Sequence, residues 1–266
     1  MEQSKLIEMI KNNPNVLVSI NNPTDEMKLL AVKKNGLLLE YIDNPTREME
    51  DIALDNTALA IKFIDNPTED MMIKAVNRGW VNLEYIKNPT RKVIELALNQ
   101  AGWAIKYVKN PSEELQLLAV RKNYDAIKFI KEPLESVQEE AVKMNYEALR
   151  YIKSPSFKAE MLAIRNNESA MKFICDLNKT KILKFLKENI LVLKYVINEI
   201  TMEELEEVLK EVLSKDDVEE KYVRDYLNYH MIDDSEIKKM DKLKIIYVYG
   251  SKKAKKIAVD ERLKMN

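Results

Sequence analysis

Apolar and polar positions along this chain recur on one fixed spacing. Pro23, Pro45, Pro67, Pro89, Pro111, Pro133 and Pro155 are each 22 residues apart. Counted from each proline, the eighth residue is alanine: Ala31, Ala53, Ala75, Ala97, Ala119, Ala141 and Ala163. The eighteenth is aromatic (Tyr41, Phe63, Tyr85, Tyr107, Phe129, Tyr151, Phe173), and the nineteenth is Ile or Val, from Ile42 to Ile174. Three columns held over seven units predict a repeat protein, because a fixed period dictates the fold. The register also extends one unit in each direction. Met9 and Phe185 fall in the alanine column and Ile20 and Val196 in the Ile column. Nine units, starting at residues 1, 23, 45, 67, 89, 111, 133, 155 and 177, account for residues 1–198. The irregular first and last units have the character of caps.

Within a unit the pattern predicts two short helices. The Asn-Pro-Thr turn offers a hydroxyl to cap the first helix, and acidic residues follow where the helix dipole favours them. Proline holds the preceding Asn extended, which ends the previous helix. Met27, Ala31 and Val32 share one helical face. Lys34-Asn35-Gly36 reads as a left-handed helix end. The second helix, near Leu38 to Ile42, is too short to persist alone, so Tyr41 and Ile42 are expected to be buried against neighbouring units. The predicted architecture is all-α: an α-solenoid of nine 22-residue two-helix repeats over 1–198, followed by a small C-terminal helical domain over 199–266. In that last segment Thr201 opens an amphipathic helix with Met202, Leu205, Val208, Leu209 and Val212 on one face. Further helix starts are predicted near Asp217, Ser235 and Ser251, with Gly250 as a break. Residues 199–237 hold 4 basic and 14 acidic side chains and 238–266 hold 10 and 3, so the two halves are expected to pair as an antiparallel helical cap.

Composition narrows the chemistry. The 266 residues include one His, one Cys and four Gly, with 43 Lys+Arg against 44 Asp+Glu. That inventory argues against a Cys/His zinc site, a disulfide framework, a nucleophile–base pair and phosphate-cradling loops. No cofactor, no metal and no enzymatic activity are expected. No apolar run approaches the ~20 residues of a membrane span, and Met-Glu-Gln-Ser-Lys does not have the form of a signal peptide. A soluble, cytoplasmic chain that does not engage membranes is expected. His230, in a stretch with Tyr222, Tyr226 and Tyr229, reads as structural. Cys175 reads as an exposed thiol without an activating neighbour. Asp216-Asp217 and Asp233-Asp234 sit where helix caps belong.

Two exposed columns vary in an organised way. The thirteenth and fourteenth positions carry Leu37, Leu59, Trp80, Trp103, Tyr124 and Tyr146. These suit a partner-binding edge, since aromatic residues anchor interfaces; the same rings would also serve as core filler against Gly and Ala columns. The seventeenth and twentieth positions are three apart and are expected to share one helix face. They change from Glu40/Asp43 to a basic ladder of Lys87, Lys106, Lys109, Lys128, Lys131, Arg150, Lys153 and Lys172. The ladder suits an acidic protein surface or a phosphate backbone, although lysine near a helix C-terminus is favoured by the dipole in any case. Lys252, Lys253, Lys255 and Lys256 form a second basic cluster, whose default role is a solvated face.

Units such as Asn110-Pro111-Ser112-Glu113-Glu114 through Asn123, followed by Ala126-Ile127-Lys128-Phe129-Ile130, resemble proline-led helical repeats of uncharacterised bacterial and bacteriophage proteins. The resemblance covers about residues 13–196 and transfers no catalytic motif. It implies a phage or mobile-element origin and a role in binding a bacterial host protein, including antiviral defence factors. The expected function is therefore non-enzymatic capture of a protein partner. Sequence-independent nucleic-acid binding along the basic ladder and a virion or scaffold role are the alternatives.

Overall fold

The computed structural model describes residues 2–229 and 240–264, so His230, Asp233, Asp234 and the helix start near Ser235 lie outside the described residues. The chain is an all-α helical repeat protein, and its contacts divide it into two compact lobes, residues 1–132 and 133–266. Repeats starting at 1 through 111 make up the first lobe. Those at 133, 155 and 177 share the second with the C-terminal helices. The repeat pattern ends at 198, whereas compactness divides the chain between Glu132 and Pro133.

In the first lobe the long helices are α1 (Glu2–Asn12), α2 (Asp25–Lys34), α3 (Arg47–Asn56), α4 (Glu69–Asn77), α5 (Arg91–Gln100) and α6 (Glu113–Lys122), each packed on the next. Their starts follow the sequence: Thr24, Thr46, Thr68 and Thr90 each accept a hydrogen bond from the backbone N–H three residues on, satisfying an orphan donor. The second element of each repeat is a six-residue 3-10 helix, such as Gly36–Tyr41, Trp80–Tyr85 and Gly102–Tyr107. Consecutive 3-10 helices pack side by side and make a second layer beneath the α-helices.

The tighter winding decides which columns face inward. Within the 3-10 helix the fifteenth and sixteenth positions face the core, as Leu38, Ala60, Ala104 and Ala126 and then Leu39, Ile61, Leu83, Ile105 and Ile127 do. Ile42, Ile64, Ile86 and Ile130, extended residues just past the helix, are buried beside them. The alanine column is fully buried, from Ala31 to Ala163. The aromatic column is not: Tyr41 is 58% exposed and Phe129 40%, and Phe63, Tyr85 and Tyr107 are half-buried. The expected burial of Tyr41 is therefore corrected: the last residue of the 3-10 helix, two steps past the buried sixteenth position, turns outward before the chain leaves at the buried nineteenth.

Two turn expectations are also corrected. Asn35 has φ −143°, an extended conformation, and among the described residues no glycine lies in the left-handed region. The glycine that follows is needed for closeness instead. A Cβ on Gly36 would lie 2.3 Å from the Ala53 carbonyl oxygen, and one on Gly102 would lie 2.1 Å from that of Ala119. Before the prolines, Asn22, Asn44 and Asn110 have φ of 50–51°. These turns use the left-handed region, which asparagine tolerates better than most residues.

Orphan carbonyls at the ends of the α-helices are closed by the next repeat. Asn56 Nδ2 donates to the Lys33 and Lys34 carbonyls while its Oδ1 accepts from the Gly36 N–H. Arg78 donates to the Leu54 and Asp55 carbonyls and Gln100 to that of Val76. One polar residue at the eleventh position thus finishes the preceding helix and fixes the step between repeats.

In the second lobe, α7 (Glu135–Met144), α8 (Phe157–Asn166) and α9 (Lys179–Glu188) continue the pattern, with a short α10 (Leu193–Val196). Then follow α11 (Met202–Leu213), α12 (Glu220–Asn228), α13 (Lys242–Tyr249) and α14 (Lys252–Lys264). Thr201 and Glu204 form a capping box on α11. The acidic face of α11 pairs with repeat lysines, Lys179 with Glu204 (2.6 Å) and Lys187 with Glu211. The two halves do pack on each other, α11 on α13 and α12 on α14. An ion pair between them runs against their overall charges, with the arginine on the acidic half and the glutamate on the basic one. Arg224–Glu261, Tyr249–Glu206 and Tyr222 Oη to the Leu186 carbonyl (2.9 Å) tie them together and to α9.

Candidate functional site

The exposed side of the 3-10 layer in the first lobe gathers rings and cations into one strip. The fifteenth and sixteenth positions of each 3-10 helix are buried, whereas the seventeenth is exposed and the eighteenth exposed or half-buried. The eighteenth column is aromatic throughout, and the seventeenth holds Lys62, Lys106 and Lys128 together with Glu40 and Glu84. Lys62 Nζ lies 5.5 Å from the Phe63 ring centre and 5.9 Å from that of Tyr85 in the next repeat. Lys106 repeats the arrangement at 4.5 Å from Tyr107 and 5.9 Å from Phe129, and it also stands 5.6 Å from Trp80. Lys128 is 5.1 Å from Phe129. Each contact stabilises by about 0.5–1 kcal/mol at an exposed site. The cation bridges two consecutive repeats while its ammonium stays at the surface.

The two columns expected to form separate stripes converge here. Trp80, at the thirteenth position of its repeat, lies against Tyr107 of the following repeat with ring centres 6.2 Å apart. Leu37 (37% exposed), Leu59 (38%) and Trp103 (37%) are outward-facing fourteenth-position residues. Trp80 and Tyr124 are half-buried thirteenth-position ones. Trp103 Nε1 donates to Asp125 Oδ1 at 2.7 Å, and Lys128 Nζ reaches Asp125 Oδ2 at 2.7 Å. Burial pushes the Asp125 carboxyl up, but these two donors outweigh it and hold the group below its ordinary value. Tyr107 Oη donates to Glu84 (3.0 Å), and Lys87 faces Asp65 (3.3 Å).

The shared helix face expected for the seventeenth and twentieth positions is corrected. Lys106 and Lys128 sit on 3-10 helices, but Lys87, Lys109 and Lys131 lie beyond the helix ends, in the turn before the next proline. The chain leaves the helix at an extended nineteenth residue, with φ between −94° and −98° at Ile86, Val108 and Ile130.

The second lobe carries the same device by itself. Tyr146 packs on Phe173 (6.4 Å), with Arg150 5.5 Å from Tyr151 and 5.8 Å from Phe173. Lys153 and Lys172 are exposed, and Lys153 again lies past its 3-10 helix. Lys252, Lys253, Lys255 and Lys256 are exposed on α14, where Lys255 stands 5.7 Å from Tyr247. Cys175 is an exposed free thiol. Away from these surfaces, Glu160 is fully buried between α8 and α9 and holds Lys181 at 2.8 Å, which also contacts Asp176. Burial raises the Glu160 pKa, only partly opposed by Lys181.

The rings of the strip, Phe63, Tyr85, Tyr107 and Phe129, thus belong to the column of Tyr41, the residue expected to be buried. The adjacency of a lysine-bearing column and an aromatic column was the available signal. Among the described residues, no three His, Cys, Asp or Glu side chains gather into a group able to hold a metal ion. No helix among them is long and apolar enough to cross a membrane. Comparison of the chain with protein-family models, curated proteins and solved structures finds no match.

Proposed function

We propose that this protein is a non-enzymatic recognition solenoid of the cytoplasm, which holds a protein partner on the exposed side of its 3-10 layer. The observation that carries the reading is the strip built by Lys62, Tyr85, Trp80, Lys106, Tyr107 and Phe129, in which partly exposed rings and cations alternate across successive repeats. The repeat step is fixed by buried Ala, Ile and Leu columns and by carbonyl-closing side chains, so the strip is pre-organised and loses little entropy on binding. Aromatic rings are the usual anchors of interfaces, and the long lysine stems beside them add apolar contact area. The capture and sequestration of a bacterial host protein, implied by the resemblance of the repeats to phage and bacterial proteins, belongs to the same proposal. Nucleic acid is the less favoured partner, because Glu40, Asp43, Asp65 and Glu84 lie on the same layer and repel phosphate.

The test is affinity capture from bacterial lysate with wild type and with a Trp103→Ala/Phe129→Ala variant, both checked for unchanged thermal unfolding. The expected result is a protein retained by the wild type and lost from the variant. Retention of the same proteins by both would rule the strip out.

A further inference from the structure

Beside the strip, the junctions between repeats open into notches of one design. The first lies between the Ile20–Pro23 turn and Tyr41 with Glu40 and Asp43. Two further notches, in consecutive repeats, lie between the Ile86–Pro89 turn and Tyr107 with Lys109, and between Val108–Pro111 and Phe129 with Lys131. Each has an Asn-Pro turn on one side and the outward ring of the following repeat on the other. Their volumes, about 860, 480 and 400 Å³, admit a side chain. Their charge is not uniform: Glu40 and Asp43 outnumber Lys28 at the first notch, Lys87 and Lys109 outnumber Glu84 at the second, and Lys131 stands beside Glu132 at the third.

The spacing selects an occupant. Consecutive 3-10 helices are in direct contact, and packed helices in general stand about 8–10 Å apart, which is the interval taken for successive notches. A polyproline II segment has three residues per turn and rises about 3.1 Å per residue, so every third side chain returns to the same side after about 9.3 Å. A β-strand repeats its facing every second residue, at about 6.6 Å, and misses the register. Aromatic-walled grooves also suit the flat, pre-extended polyproline II backbone, whose ordering cost is low. Resting on the reading of this layer as a protein-binding surface, we propose that the notches hold an extended polyproline II segment of a partner. It is read at every third residue, with acidic side chains against Lys109 and Lys131 and any basic end toward Glu40 and Asp43. Charge complementarity fixes the direction of that polarity along the repeats. Carboxylates Glu84 and Glu132 line the Lys109 and Lys131 notches, which disfavours a continuous phosphate backbone.

The test uses fluorescein-labelled peptides and fluorescence anisotropy on the full chain. A (Glu-Pro-Pro)5 peptide places Glu every third residue, and (Glu-Pro-Pro-Pro)4 every fourth. The expected result is that the period-three peptide binds at least tenfold more tightly than the period-four peptide and than (Lys-Pro-Pro)5. Lys109→Glu/Lys131→Glu should weaken its binding at least tenfold without moving the thermal unfolding midpoint. Equal affinity for the two spacings, indifference to the charge reversal, or no binding of (Glu-Pro-Pro)5 at millimolar concentration each overturns the inference. So does tighter binding of a labelled 15-nucleotide oligouridine that the same variant abolishes. If the peptides fail while lysate capture still depends on Trp103 and Phe129, the protein-binding surface stands and its occupant is a folded face. If capture is indifferent as well, both fall.

Discussion

The repeats of the first lobe and the C-terminal helices of the second solve the same packing problem in opposite ways. In the repeats, one solution is copied. An alanine faces the neighbouring helix, a 3-10 turn buries its fifteenth and sixteenth residues, and a polar side chain closes the preceding helix. Among α11 to α14 each contact occurs once, as in Tyr222 to Leu186, Tyr249 to Glu206 and the Ser251 N–H to the Leu213 carbonyl. Copying frees the outer columns. Because burial is satisfied by the same few positions in every repeat, the seventeenth, eighteenth and twentieth residues can change charge and ring size without altering the step. The unique contacts of the C-terminal helices leave no such series of equivalent surface positions.

The comparison is broken most severely at the closest approach between repeats. Gly102→Val sets a side chain against the Ala119 carbonyl, where even a Cβ would stand 2.1 Å away. It should lower stability by about 3 kcal/mol or more, read from urea unfolding. In the C-terminal helices the matching lesion is a single lost bond. Tyr222 is 5% exposed, and burial pushes its hydroxyl pKa far up. Tyr222→Phe leaves the Leu186 carbonyl without its partner and should lower stability by about 1–2 kcal/mol.

A smaller, pH-dependent effect belongs to Glu160. Burial raises its folded-state pKa above the ordinary 4.5, so the folded protein keeps the proton to higher pH than the unfolded chain. Stability therefore falls as pH rises from 4.5 through the folded value. Gln116 and Gln138 occupy the same repeat column and are buried there, so glutamine fits. Glu160→Gln should remove that decline, with a change smaller than that of Tyr222→Phe, measured by unfolding across pH 4 to 7. The smallest effect is a gain. Gly79 has φ 164°, extended backbone open to any residue, and a Cβ there meets nothing closer than 3.7 Å. Gly79→Ala should raise stability by about 0.5 kcal/mol through the unfolded chain. The contrast with Gly102 separates a glycine required by packing from one that is not.

How much was legible in sequence follows from which residues report packing directly. Proline and alanine columns did, since turns and close helix approaches admit few alternatives, and they located the first helix of each repeat. The second helix was harder. The sixteenth and nineteenth residues are three apart, which fits a face of an α-helix and of a 3-10 helix equally well, and six residues are too few to tell the periods apart. Treating the eighteenth column as core hid the rings of the strip, and treating the twentieth as helical merged Lys109 and Lys131 with Lys106. Gly36 was misread because Lys-Asn-Gly signals a left-handed turn, whereas the constraint comes from Ala53, 17 residues later. The 22-residue period runs unbroken through the lobe boundary at 132/133, and only Glu132 for Asn and Leu134 in place of a capping Thr or Ser depart from the columns there.

The central claim is that the aromatic and cationic strip recognises a protein and is dispensable for the fold itself. Its most direct test pairs two readouts on a Lys62→Glu/Lys106→Glu variant: partner capture and thermal unfolding. Both lysines are exposed. Lys62 makes two ring contacts and Lys106 three, each about 0.5–1 kcal/mol, so the unfolding midpoint should fall by roughly 5–15 °C with the transition still cooperative, while capture is lost. Capture at wild-type levels by a folded variant would contradict the account.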